Sequence, residues 1–267
     1  MEKLIARLMT MAVLSACATG TLPHTEPRAE PSVGAVSDPS TRKPASVGRT
    51  LDAAVYARAG LFASEGPLPF VGDVRFLAGG SPDSTLALVT LSLANRSLTF
   101  SPEKNELRGA YSVTIEARGD AGESVTKHVT TQAVVRVAQA REAARSDESI
   151  VYQQWVALAP GTYALSVRVR DAGSARASAQ ERRIDVPSLG VSVPSVPSRA
   201  LSTPIAVYEP PGAPRSAFDS VPALIANPRA TAVFGKDSAL MFYIEGYALG
   251  PRARVEITTR SEMGALI

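Results

Sequence analysis

Cysteine and histidine are scarce in this 267-residue chain: Cys17 is the one cysteine, and His24 and His128 are the two histidines. A lone cysteine forms no intrachain disulfide and no CxxC redox or metal motif. Two histidines far apart in sequence do not supply the three or four clustered ligands that zinc requires. Nucleophilic hydrolysis needs a base within reach of its Ser or Cys. His24 lies in a proline-rich stretch, and His128 sits at strand spacing in Thr126-Lys-His-Val129, where a solvated strand position is expected. There is no GxSxG string. Asp147-Glu148 is the obvious carboxylate pair, yet neighbours in a strand point to opposite faces and would not share a substrate. Gly79-Gly80 and the Gly119 to Gly122 turn precede neither a helix start nor a Lys-Ser/Thr pair, so phosphate loops are not expected. The chain is read as non-enzymatic, with no cofactor and no metal.

Charge and long apolar runs are also thin. The formal net charge is +3 and the pI about 9.1, but no basic run exceeds Arg182-Arg183. A nucleic-acid binder concentrates its Lys and Arg more than this, so no nucleic-acid partner is expected. No stretch reaches the roughly 20 apolar residues of a membrane helix.

What is present points to strands. Nineteen glycines and twenty prolines accompany an apolar share of 45%, which suits short strands and frequent turns around a real core. The clearest signal is Leu158-Ala-Pro-Gly-Thr-Tyr-Ala-Leu-Ser-Val-Arg-Val-Arg-Asp171. After its Pro-Gly turn, Tyr163, Leu165, Val167 and Val169 fall on one face, opposite Ala164, Ser166, Arg168 and Arg170. Phe70 to Ala78, Thr85 to Leu93, Leu107 to Ala117, Val125 to Val137, Ile150 to Leu158 and Arg182 to Val186 also read as strands. The Thr85 strand is apolar on both faces, which marks a central position. Ser101 to Asn105 reads as a turn, and Gln139 to Arg145 as a marginal helix. The fold class expected is therefore all-β: an antiparallel Ig-like β-sandwich over residues 69–187, a linker over 188–200, and a second, smaller β domain over 201–267. That second block holds Thr203 to Tyr208, a segment near Thr231 to Phe234, Ala239 to Tyr247 and Arg254 to Thr259. It is short for a closed sandwich, so it is expected either to be incomplete or to have an edge covered by a partner.

The N-terminus has its own layout. Lys3 and Arg7 precede a short apolar stretch, Leu8 to Ala16, that ends in small residues, the pattern of a secretory signal. Leu14-Ser-Ala-Cys17 resembles the lipobox of bacterial lipoproteins. That resemblance implies a signal peptide over 1–16, lipidation of Cys17, and attachment to the membrane through more than one acyl chain. Ala18 stands where the lipoprotein pattern uses Asp for inner-membrane retention, so the resemblance favours the outer membrane, facing the periplasm. Pro23, Pro27, Pro31, Pro39 and Pro44 then space out a tether within residues 17–68.

A second resemblance rests on Asp147-Glu-Ser with Tyr152-Gln-Gln, on the Leu158 to Ser174 stretch, on Ile184-Asp-Val-Pro187 and Leu201-Ser-Thr-Pro204, and on Ala239-Leu-Met-Phe-Tyr-Ile-Glu-Gly-Tyr247. These residues look like the β-rich region of bacterial GWxTD-domain lipoproteins. The resemblance implies fold and location more than activity. No Gly-Trp-x-Thr-Asp string exists here, and the one tryptophan, Trp155, lies in Gln-Gln-Trp-Val.

Together these readings describe a lipid-anchored cell-envelope protein that acts as an interaction or scaffold module, with an unidentified protein partner. The alternative is a glycan- or cell-wall-binding sandwich. The candidate contact surface is a basic stripe: Arg168 and Arg170 share a face, and Arg182 and Arg183 lie on the adjoining hairpin arm, with Glu181 interrupting. Such a stripe would meet anionic headgroups or an acidic partner; an ordinary solvated face is the plain reading of the same residues.

Overall fold

The computed structural model describes residues 56–81, 83–119, 125–146, 148–189, 200–229 and 239–247, and residues 249, 252, 254, 256 and 258. In it, nine strands make two facing antiparallel sheets: β1 (Phe62–Ser64), β2 (Phe70–Ala78), β3 (Thr85–Ala94), β4 (Phe100–Glu103), β5 (Glu106–Gly119), β6 (Val125–Val137), β7 (Glu148–Leu158), β8 (Gly161–Asp171) and β9 (Ala177–Val186). The first sheet runs β1-β2-β3-β7. The second runs β6-β5-β8-β9, and β4 shares an edge of β5 with β8, because β4 pairs Glu106 to Gly109 and β8 takes over from Tyr111 while β6 lines the opposite edge. Four strands against five, all antiparallel, make the Ig-like sandwich that the sequence implies.

The period of two sets the core. Tyr163, Leu165, Val167 and Val169 are all buried and face Ala87, Val89, Leu91 and Leu93 of β3 and Tyr111, Val113, Ile115 and Ala117 of β5 in one cluster. Gly161, at φ 150°, turns the chain from the first sheet into the second, and the Tyr163 hydroxyl donates 3.0 Å back to the Ala159 carbonyl across that turn. This is the tyrosine corner of Ig-like sandwiches. The expected Ser101 to Asn105 turn is tighter than the sequence suggests: strand pairing continues to Glu103, and Lys104, at φ 57°, makes the reversal with Asn105. The expected helix shrinks to one turn, Ala140–Ala143.

Beyond the sandwich lie β10 (Ala200–Leu201), β11 (Ile205–Glu209), β12 (Ile225–Ala226), β13 (Met241–Tyr243) and β14 (Gly246–Tyr247). They form a β12-β11-β13 sheet and a β10-β14 pair. Ile205, Val207, Leu224, Ala226 and Tyr243 pack on Leu77, Leu86 and Leu88 of β2 and β3, with Trp155 and Met241 at the margin. The outer face of the first sheet is thus a second core, and this accounts for the two-sided apolarity of β3. Burying each such leucine contributes about 2 kcal/mol. The Thr231 to Phe234 segment lies outside the described residues, and Arg254, Glu256 and Thr258 are exposed and not in a strand.

One ion pair fastens this third layer. Arg215, 4% exposed, donates to both carboxylate oxygens of Glu245 at 2.8 and 2.6 Å and to the carbonyls of Ala78, Phe218 and Ser220. The hydroxyls of Tyr243 and Tyr247 donate to the same carboxylate, and the Ala78 amide donates to Tyr247 at 2.9 Å. Every guanidinium face that leaves water finds an acceptor here, as a buried charge must.

Candidate functional site

The outward face of the β6-β5-β8-β9 sheet is polar, and strand register fixes its grid. Thr114 lies opposite Thr130 on one side and Arg168 on the other; Glu116 lies between His128 and Ser166; Arg118 lies beside Ala164. Across β9, Arg168 faces Ala179, Arg170 faces Ala177, Ser166 faces Glu181 and Ala164 faces Arg183. Small residues beside long ones leave a shallow concavity of about 410 Å³, walled by Thr114, Glu116 and Arg118, by Ser166 and Arg168, and by Ala179, Gln180 and Glu181.

Arg168 and Arg170 are exposed on this face, as the sequence implies, and no carboxylate among the described residues lies within 4.0 Å of either guanidinium. Arg183 is exposed on the same face. Arg182 is not: it pairs with the inward-facing Leu165, so it projects to the other side and donates 2.6 Å to the Gly60 carbonyl. The four-arginine stripe is therefore corrected to three, because successive residues of a strand alternate faces. Glu181 lies on the same outward face between the Arg183 and Arg168 rows, so it interrupts the stripe, and it also lines the concavity. Cys17, His24 and Asp147 lie outside the described residues, as does the side chain of Glu148.

Glu116 and Arg118 escape the sequence reading. Arg118 donates to Glu116 at 2.7 Å, and His128 Nδ1 lies 3.2 Å from the other Glu116 oxygen. His128 Nε2 in turn lies 3.1 Å from the Thr130 hydroxyl, itself 3.2 Å from Thr114. Hydroxyl, imidazole and carboxylate thus stand in the order of a nucleophile, a base and its orienting acid. The His128 side chain is 53% exposed, so water competes for each contact. The chain of contacts is a cross-strand ladder that holds the face in register.

The aromatic rings are mostly spent elsewhere. Tyr111, Tyr152, Tyr163 and Tyr247 are in the sandwich core, Tyr243 is in the outer core, and Trp155 packs against that outer core. No ring lines the concavity. Burial pushes the Tyr111 hydroxyl up to about 12, with Tyr152 nearby adding to the shift.

One end of the face is fixed by Asp171. It is fully buried and accepts from the Thr99 amide and hydroxyl, the Gly173 amide, the Ser174 hydroxyl and Arg176. Burial alone would raise its pKa, but the hydrogen bonds from Ser174, Thr99 and Gly173 outweigh it and hold the carboxyl below its ordinary value. Arg176 is engaged in this turn. Among the described residues, no three His, Cys, Asp or Glu cluster as metal ligands, and no helix is long and apolar enough to cross a membrane. Compared with protein-family models, curated proteins and solved structures, the chain matches none.

Proposed function

We propose that this chain is a lipid-anchored, non-enzymatic protein of the bacterial cell envelope that works as an interaction or scaffold module, with the outward face of the β6-β5-β8-β9 sheet as its contact surface. The observation that carries the reading is the exposed Arg168 and Arg170 pair beside a concavity lined by polar and charged groups. Guanidinium groups with no carboxylate within 4.0 Å favour an anionic partner, and a rigid sheet presents them on a backbone already ordered. The leader, Leu14-Ser-Ala-Cys17 and the proline-spaced tether support the anchor, and the resemblance to GWxTD-domain lipoproteins supports the location. A saccharide platform would want an exposed ring at the concavity, and none lines it.

Two substitutions test the two halves of the proposal. Cys17→Ser should move the protein from the membrane to the soluble fraction. Arg168→Glu with Arg170→Glu should keep the circular dichroism and melting temperature of the parent while deleting its crosslinked partners. A partner set unchanged by the double reversal would refute this face as the contact surface.

A further inference from the structure

Among the described residues β6 pairs with β5 alone, along a register from Leu107↔Val137 to Arg118↔Val125, so its other edge offers unpaired amides and carbonyls over 13 residues. Proteins guard such edges with proline, bulges, short strands or inward charges. β6 has no proline, and its guards sit at one end, where Lys127 pairs with the inward-facing Ala117 and the register shifts between Ala117 and Arg118. From Val129 to Val135 no described residue pairs with that edge.

Two further observations say what would fit. Val129, Ala133 and Val135 pack against the sandwich core but stay half-buried, so their row is uncovered on the side where the next strand would lie. The strand also carries Lys127, His128 and Arg136 and no Asp or Glu. Arg136 is only loosely held, 3.8 and 3.9 Å from Glu103 and Glu106, with its side chain 56% exposed. A second copy of this chain is a poorer match: symmetric antiparallel pairing of β6 about Thr131 sets Lys127 against Val135 and His128 against Val134, and it brings no carboxylate to the basic side chains of either strand.

We propose that the free edge of β6 accepts an extended acidic segment of another protein as an added strand, with apolar side chains turned onto Val129, Ala133 and Val135 and carboxylates outward beside His128 and Arg136. Main-chain hydrogen bonds would supply affinity and the alternating side chains selectivity. This deepens the interaction-module reading through a different surface. Arg168→Glu with Arg170→Glu leaves it untouched, so the two can fail separately.

The test uses the full chain and an eleven-residue peptide alternating Glu and Val, which pairs alike in either direction, with a Lys and Val peptide as control. Amide hydrogen exchange read by NMR should slow along β6 when the acidic peptide is added. The basic peptide should bind about tenfold more weakly, and His128→Glu with Arg136→Glu should reverse that preference. Three results would each overturn the proposal: no slowing in β6 at millimolar peptide, equal slowing by both peptides, or sedimentation showing that the free protein already dimerises through β6.

Discussion

Arg182 donates its guanidinium to the carbonyl of Gly60 at 2.6 Å, linking the last strand of the sandwich to the segment that enters the first. Gly60 precedes β1, which rests on β2 through only three paired residues. A two- or three-residue pairing holds little by itself, so this contact is a main fastener of the entry strand. Arg182→Ala should lower stability by about 1 kcal/mol and speed amide exchange in Phe62 to Ser64. Arg168→Ala, on the opposite face, should stay within about 0.5 kcal/mol of the parent. Equal effects of the two would mean that Arg182 is another solvated side chain.

Two buried aspartates give opposite pH behaviour. Asp171 has its pKa held below the ordinary 3.8, so its stabilisation is fully present above that value and is lost as pH falls through the lower folded value. Asp73 is pushed up, first by burial, with Arg75 only partly offsetting it. The folded state therefore prefers Asp73 protonated, and the parent loses stability as pH rises from 3.8 through the folded value. At pH 7, Asp171→Asn should cost about 2 kcal/mol, while Asp73→Asn should equal or exceed the parent. Denaturant melts at pH 3 and pH 7 check both: the Asp171→Asn deficit should shrink in acid, and the Asp73→Asn advantage should vanish there. Movement of both variants in the same direction would contradict the assignment.

Local alternation makes much of the sandwich readable in advance. The buried row from Tyr163 to Val169 and the corner hydrogen bond of Tyr163 both follow from spacing within a dozen residues. Non-local pairing is another matter. Glu116 meets Ser166 only because β5 pairs with β8 across about fifty intervening residues, and nothing in either strand names its neighbour. Arg182 shows the sharper limit. Its face depends on whether it pairs with Leu165 or Ala164, and a one-residue difference in register exchanges the two sides. Likewise Leu86 and Leu88 announce burial on both faces of β3, but their cover comes from Ile205 to Tyr243, more than a hundred residues on.

The third layer should come away before the sandwich unfolds. Its strands are two to five residues long, and it is held by apolar contacts on Leu77, Leu86 and Leu88 together with the buried pair of Arg215 and Glu245. Removing one member of a buried pair leaves the other charge without compensation, at a cost of about 3 to 5 kcal/mol. In Glu245→Ala that charge is Arg215, and the hydroxyls of Tyr243 and Tyr247 lose their acceptor as well. The pair reaches the end of β2 through the Ala78 carbonyl, and Tyr247, which donates to the Glu245 carboxylate, packs in the sandwich core, so the cost is centred on the third layer and its seam with β2. Trp155 is the one tryptophan in the chain and lies at the junction of sandwich and third layer, so its fluorescence reports their separation. In Glu245→Ala the emission should shift to the red at denaturant concentrations where the far-ultraviolet strand signal persists, and in the parent the two transitions should lie closer together. Coincident transitions in the variant would show that the third layer and the sandwich unfold as one unit, and that the ion pair serves the whole fold rather than its outer layer.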